Sequence, residues 1–449
     1  MQLQPLPGFR DFFPDEFALR AHILQTWRQV AEHYGFEEYD GPPLEPLELY
    51  TAKSGAEIVG QLYTFTDKGK RDVALRPEMT PTLARMVAAR ANGLRKPIRW
   101  FSTPQLFRYE RQQRGRLREH FQLNCDLIGE PGPLADAEII ALAIDVLRAF
   151  GLGPGDVRVR LSDRRVLGAL LAAGGVREAQ LADAYQAIDK VERADRVALS
   201  SQMSGAGLSG TAIERVFAVA RLRGWDAVRD ALDSVPAGAE AGDPLARTIT
   251  ALQSMGLGDF VDVDLTIVRG LAYYTGTVFE IFDARKELRA ICGGGRYDDL
   301  LAAIGGVQLP ALGFGMGDVV LGELLRERGL VPAGRSSVDA FIAAVTPDDL
   351  PHALALAHEL RDSGFRAEYA LAAQRLDRQL KLADARGARF AVVVGPDERA
   401  RGEVMLRNLD EKAQQAVARD GVVAALAVAM RDDATRTAPD AGGSRRQHG

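Results

Sequence analysis

FRYERQQRGRLREHFQ, residues Phe107 to Gln122, gathers five arginines (Arg108, Arg111, Arg114, Arg116 and Arg118) beside Glu110 and Glu119. Phe107 and Tyr109 alternate with Arg108 and Glu110, the period-two pattern of a half-buried strand. Gln112 to Gly115 reads as a turn, and Arg118 to Leu127 as the returning strand. Such a hairpin, with arginine and glutamate on one face, suits a polyanion held next to a group that must be oriented. The planar guanidinium grips phosphate through two parallel bonds, and a carboxylate accepts from an amine or hydroxyl. The stretch equally fits a solvated hairpin whose outer charges pair with each other, at ~0 to 1 kcal/mol per pair.

A chain of 449 residues exceeds one ordinary core, so two or three domains are expected. With 47% hydrophobic and 26% charged residues the composition is that of a globular protein, neither disordered nor fibrous. No apolar run reaches the roughly 18 residues that cross a bilayer, and Met1 to Pro14 lacks the basic-then-apolar order of a secretory signal. A cytoplasmic protein without membrane contact is the expectation. Cys125 and Cys292 lie far apart with no CxxC neighbour, which excludes a disulfide framework and zinc-finger spacing. A formal net charge of −5 makes no global case for nucleic acid, so any RNA contact must come from local basic patches.

Around the opening stretch, Ala18 to His33 has helical spacing and stops at Tyr34-Gly35, Phe36 to Tyr39 reads as a strand, and Pro42 and Pro43 interrupt it. Leu62 to Thr66 and Asp72 to Leu75 form a hairpin pattern around Asp67-Lys68-Gly69. Thr82 to Ala91 and Asp136 to Phe150 are helical, and Ile98 to Phe101 and Val157 to Leu161 strand-like. From Val176 to Leu257 Ala-rich helical patterns dominate, with a Pro/Gly break at Pro236 to Pro244, and strand character returns at Val261 to Val268 and Tyr273 to Phe282. The reading is a core spanning 1–173 and 259–331, split by a helical insertion at 174–258. Beyond a linker at Pro332 to Ser337, strand and helix patterns alternate up to Phe390 to Val394, which predicts a small α/β domain with parallel pairs at 336–431. A polar tail at 432–449 is expected to be disordered.

Two further stretches can carry chemistry. In IVRGLAYYTGTVFEIF, Ile267 to Phe282, Arg269-Gly270 interrupts a strand and Tyr273 and Tyr274 point to opposite faces, so that one faces a pocket unless both are packing residues. In CGGGRYDDL, Cys292 to Leu300, three glycines at a strand end allow backbone to approach a ligand or simply a tight turn. Gly313 to Gly317, GFGMG, fits either close backbone approach or helix-on-sheet packing. Neither glycine run has P-loop or dinucleotide spacing. His120 is the only histidine near these motifs, and no Ser/His/Asp arrangement accompanies it.

In this order the motifs resemble the histidyl-tRNA synthetase family of class II aminoacyl-tRNA synthetases, over roughly residues 3 to 425. PGFRDFFPDE at Pro7 to Glu16 is similar to its N-terminal signature, and the helix, strand and Pro42 segment to motif 1, which forms the class II dimer interface. LRPEMT at Leu75 to Thr80 is similar to its LRPEGT, and Phe107 to Gln122 resembles motif 2. VRGLAYYTG and GGGRYDD resemble the two histidine signatures, and QLKLADARGARFAVVVG at Gln379 to Gly395 the anticodon-binding domain. The fold implied is α+β: a class II synthetase antiparallel-sheet catalytic core with a helical insertion, plus a C-terminal α/β anticodon-binding domain. The resemblance implies a homodimer that binds histidine, ATP with Mg2+ and tRNA(His), with no prosthetic group and no protein residues assigned to a metal. It places Arg108 on the ATP α-phosphate, with Glu110 and Arg116 also at ATP. Glu78, Thr80 and Gln122 would hold the histidine α-amino group, and Asp126 with Tyr273 or Tyr274 the imidazole. Arg269 would be the catalytic cation, and Gln112, Gln113 and Arg114 would meet the tRNA acceptor end.

Four positions depart from the family pattern. Ala272 stands for the usual Asp, Val320 for a motif 3 arginine at the ATP γ-phosphate, Asp126 for Glu, and Met79 for Gly. The alternative in keeping with the first two changes is a catalytically inactive paralogue, similar to the histidine-sensing regulatory subunit of ATP phosphoribosyltransferase. The full Arg/Glu set of motif 2, Arg269 and the C-terminal domain favour the synthetase.

Overall fold

The computed structural model describes residues 3–51, 60–110, 114–268, 274–285, 288–332 and 338–437, with side chains as far as 431. Arg269, Ala272, Tyr273, Gln112 and Gln113 lie outside the described residues. The chain divides into two compact units, Met1–Pro332 and Ala333–Gly449.

The first unit is built on a nine-stranded sheet. Its middle consists of β1 (Ile98–Ser102), β2 (Glu119–Ile128), β3 (Val157–Asp163), β4 (Thr277–Asp283), β5 (Cys292–Arg296) and β6 (Ala311–Gly317), in the spatial order β1-β2-β6-β5-β4-β3. All these neighbours are antiparallel. Glu37–Glu38 runs parallel to β1 at one edge and Val261–Val263 parallel to β3 at the other, while Gln105–Phe107 pairs with the start of β2. Segments on either side of the helical insertion thus meet: β2 lies directly beside β6, Asp126 opposite Gly313 and Gln122 opposite Gly317.

Side-chain alternation gives the sheet two different faces. Leu123, Cys125 and Leu127 of β2 enter the main core with Phe279, Phe314 and Met316. Over this face lie α1 (Pro14–His33), which starts on Pro14 followed by Asp15 and Glu16 as a helix N-terminus favours, and, past α2 (Thr80–Arg90), α3 (Pro133–Ala149). Ala135, Ile139, Ile140, Ile144 and Leu147 of α3 are all buried, as befits a helix pressed between layers. The opposite face carries a smaller cluster in which Leu83 and Val87 of α2 meet Ile98, Tyr274, Tyr297 and Leu301.

Residues 174–258 contribute further helices, of which α4 (Gly238–Ser254) packs on α3 and sends Leu245 and Leu252 into the main core. Of the expected break at Pro236 to Pro244 only Pro236 and Ala237, the latter with φ 56°, lie outside a helix, and Pro244 sits inside α4. Proline removes one intrahelical bond, and burial of Leu245, Thr248 and Leu252 outweighs that loss.

Two more expectations are corrected. The glycine run forms β5 itself rather than its end: Gly293, Gly294 and Gly295 pair with β4 on one side and β6 on the other. A Cβ on Gly294 would lie 2.3 Å from Gly313 O, and one on Gly295 2.5 Å from Thr277 O, so no larger residue fits this register. The ladder of the arginine-rich hairpin ends at Phe107, after which Arg108 N bonds Arg118 O and Tyr109 N bonds Gln61 O. Here Glu110 is buried and Tyr109 is 55% exposed, the reverse of an ordinary amphipathic strand.

The second unit holds a five-stranded sheet in the order Ala367–Tyr369, Ala340–Ala344, Phe390–Val394, Glu403–Asn408, Gln414–Ala418. The first three are parallel, as the alternating pattern predicts, and the last two add antiparallel. Helix Val422–Thr437 runs past residue 432, where a disordered tail was expected, and 438–449 lie outside the described residues. Among the described residues no helix is long and apolar enough to cross a membrane.

Candidate active site

Two cavities adjoin on the second face of the sheet. The smaller is lined by Glu78, Thr80, Arg108, Gln122, Asn124, Asp126, Tyr274, Tyr297 and the backbone of Gly293, Gly313 and Gly315. Gln122, Asn124 and Asp126 come from alternate positions of β2, pointing away from the core that Leu123 and Cys125 fill. Space for them exists because the facing strands carry glycine. A Cβ on Gly313 would stand 2.2 Å from Asp126 Oδ1, and one on Gly315 2.7 Å from the Gln122 amide. Both GFGMG and the β5 glycines are therefore sites of close approach.

Asp126 is buried at the floor, where it accepts a hydrogen bond from Tyr297 Oη. Burial pushes its carboxyl up to about 7, against the bond from Tyr297, which lowers it. A group poised there can hold or give up a proton at neutral pH. At the rim, Arg76 is a brace rather than a ligand: it bonds Asp40 at 2.7 Å, Gly41 O at 2.7 Å and Gln105 O at 3.0 Å, holding the loop that presents Glu78. Met79, where the family pattern has Gly, is fully buried and outside the cavity lining.

The larger cavity, of ≈ 390 Å³, shares Arg108, Gln122, Gly293 and Gly315 with the smaller and adds Glu110, Arg116, His120, Arg193, Glu280, Arg289 and Val320. Arg108 is aimed by its Nε bond to Pro77 O at 2.9 Å, and Arg116 pairs with Glu110. Burial, followed by the charges of Arg108 and Arg10, lowers the His120 imidazole to about 3, so it faces the cavity uncharged at neutral pH. Beneath this cavity Arg10 joins Glu119 at 2.6 Å and Asp318 at 2.9 Å, while Asp318 also accepts from Phe121 N. That cluster ties the N-terminal segment and the start of α5 (Asp318–Glu327) to β2, and sets Val320 at the cavity wall.

Of the residues singled out in the sequence, Glu78, Thr80, Arg108, Gln122, Asp126 and Tyr274 meet at the smaller cavity, and Arg108, Glu110 and Arg116 at the larger. Arg114 lines neither; it pairs with Glu323 and Glu327 on α5. Arg269, Tyr273, Gln112 and Gln113 lie outside the described residues. Asn124 and Tyr297 escaped the sequence reading although signals existed, Asn124 by alternating with Gln122 and Asp126, and Tyr297 by its place in GGGRYDD. Arg193 and Arg289 sit in aperiodic connections that gave none. A small polar cavity with two carboxylates suits a zwitterion bearing a polar ring, and an arginine-lined cavity joined to it suits a polyphosphate.

Comparison with known proteins agrees with that arrangement. A family model described as Histidyl-tRNA synthetase matches residues 8–317, and one described as Anticodon binding domain matches 339–428. The chain is 47% identical over 427 residues to the Histidine--tRNA ligase of Opitutus terrae, covering 94% of this chain and 97% of that one. It is 40% identical over 414 residues to that of Halobacterium salinarum, covering 90% and 93%. The solved histidyl-tRNA synthetase of Nostoc sp. superposes with a TM-score of 0.81 at 26% identity, over 96% of this chain and 100% of that one. With its sheet, paired cavities and C-terminal unit all accounted for, the chain belongs to the histidyl-tRNA synthetase family.

Proposed function

We propose that the chain is a histidine–tRNA ligase that activates histidine with ATP and transfers it to the 3′ end of tRNA(His). The observation that carries this reading is the meeting of the two cavities at Arg108 and Gln122. Histidine occupies the smaller one: Glu78, Thr80 and Gln122 take its α-amino group, and Asp126 with Tyr274 its ring. ATP occupies the larger one, its α-phosphate against Arg108, with Glu110 and Arg116 alongside. The carboxylate oxygen attacks the α-phosphorus, and the bond to the bridging oxygen breaks with its electron pair leaving on pyrophosphate. The terminal ribose hydroxyl of tRNA then attacks the acyl carbon and AMP departs. No protein nucleophile is required, so the side chains act by positioning and by meeting developing charge.

Arg269 is the catalytic cation and Tyr273 a second ring contact by resemblance alone. Gln112, Gln113 and Arg114 are assigned to the acceptor end by resemblance, and Arg114 pairs with Glu323 and Glu327 on α5. Magnesium enters as part of the nucleotide substrate, as the resemblance implies. The working form is a cytoplasmic homodimer.

The near-full-length relatives named Histidine--tRNA ligase favour this function over the regulatory subunit, as does the second unit, which a histidine sensor would not use. The test is histidine-dependent exchange of labelled pyrophosphate into ATP without tRNA. Exchange is expected, and histidine binding without it would move the chain to the regulatory class.

A further inference from the structure

We infer that Asn124 reads the substrate ring, its side-chain oxygen accepting the N–H of the ring nitrogen that Asp126 does not face. This deepens the ligase reading above and rests on its histidine site. Two of the contacts assigned there, Gln122 and Asp126, reach across from β2 to lie over glycines of β6. A Cβ on Gly315 would stand 2.7 Å from Gln122 Nε2 and 3.1 Å from Gln122 Oε1, and one on Gly313 2.2 Å from Asp126 Oδ1. The two glycines are two residues apart in one strand, roughly 7 Å, a span that histidine covers from amine to ring. Asn124 stands between Gln122 and Asp126 on β2, directly opposite Gly315. A ligand that touches both neighbours must therefore pass Asn124.

Asn124 is 6% exposed and lines the smaller cavity. On one flank it pairs in register with the fully buried Ser102 of β1, and on the other Gly315 has no side chain. Its amide nitrogen donates to the main-chain oxygen of Gln122 at 3.2 Å, which ties the nitrogen end to the strand. The oxygen at the other end of the planar group is an acceptor, and among the described residues no donor bonds it. In the ligase reading Glu78, Thr80 and Gln122 already take the three N–H bonds of the α-ammonium, so the acceptor that Asn124 adds falls to the ring. A neutral imidazole carries one N–H and one bare nitrogen. Asp126, whose carboxyl burial pushes up to about 7, donates to the bare nitrogen, and Asn124 takes the N–H. Together they read both nitrogens and fix the tautomer.

The test is calorimetric titration of the full chain and its Asn124→Ala and Asn124→Ser variants with histidine and with its thiazole analogue, which keeps one ring nitrogen and carries sulfur in place of the N–H. Asn124→Ala should weaken histidine binding by ~10- to 10²-fold and leave binding of the analogue nearly unchanged, because the analogue has no N–H to lose. In pyrophosphate exchange the histidine KM should rise and the ATP KM stay in place, which also reports an intact fold. Asn124→Ser keeps a polar group beside Ser102 and should repeat the loss, its hydroxyl stopping short of the ring. Equal weakening of both ligands, as a merely structural strap along β2 would give, or unchanged histidine binding, would overturn the assignment. Titration needs no turnover. Histidine binding without exchange would remove the ligase reading and leave the comparison of the two ligands to decide the role of Asn124.

Discussion

Tyr297 donates its hydroxyl to Asp126 Oδ1 across the width of β6, passing the position where Gly313 has no side chain. The bond fixes the carboxyl at the floor of the smaller cavity, where the proposed function puts the histidine ring, and burial pushes that carboxyl up to about 7.

The first prediction follows from the sign of this shift. Free histidine's ring titrates near ~6.5, so at neutral pH the ring and Asp126 need share only one proton between their facing atoms. When pH falls below both values each carries a proton, donor faces donor, and one proton must be released on binding. The histidine KM should then rise by ~tenfold per unit below about pH 6, and Asp126→Asn should flatten the slope. Exchange kinetics over a pH series would check it; an equal slope in the variant would take Asp126 out of ring recognition.

Gly313→Ala adds a methyl 2.2 Å from Asp126 Oδ1 and 2.6 Å from Cys125 O, the latter main chain that cannot step aside. Urea unfolding should show a loss of ~1 to 3 kcal/mol. Displacement of Asp126 should reduce kcat/KM for histidine by ~10²-fold. A variant with wild-type histidine kinetics would show that the sheet accommodates the methyl without disturbing the pocket.

Arg296, although part of the GGGRYDD signature, is structural. It is 2% exposed, bonds Asp136 at 2.7 Å and takes Glu130 O and Gly132 O as well. Arg296→Met leaves the Asp136 carboxylate buried without its cation and should lower stability by ~3 to 5 kcal/mol. Adding Asp136→Leu should recover part of this. Chemical denaturation of the single and double variants is the measurement, and a double variant no better than the single would contradict it.

Both cavities and the main core fall within Met1–Pro332. A chain ending after Leu330 should keep histidine-dependent exchange and lose most tRNA charging. Parallel loss of the two activities would mean that the first unit depends on the second for its fold.

Much of this was legible in the sequence because it rests on local periodicity. The returning strand read at Arg118 to Leu127 anticipated β2, and the helical spacing of Ala18 to His33 and Asp136 to Phe150 located α1 and α3. What escaped depends on neighbours distant in the chain. The three glycines of β5 read as a strand end, open to ligand approach or to a tight turn, since strand propensity counts side chains and this strand is set by the lack of them. Glu403–Asn408 and Gln414–Ala418 went unread because the second is an exposed edge strand without an apolar face. Arg289 lies in a connection with no period, and only the fold brings it to the larger cavity.

The glycine-walled floor of the smaller cavity makes it a recess in the sheet rather than a gap between side chains. Side chains answer a larger guest by changing rotamer; peptide planes locked in a ladder do not. A ring bulkier than imidazole would press on Gly293, Gly313 and Gly315, and the fold could yield only by breaking strand pairing. Selectivity of that kind is steric and stiff. Altering which amino acid fits would require changes to the register of the strands, beyond what exchanging single residues around the rim could achieve.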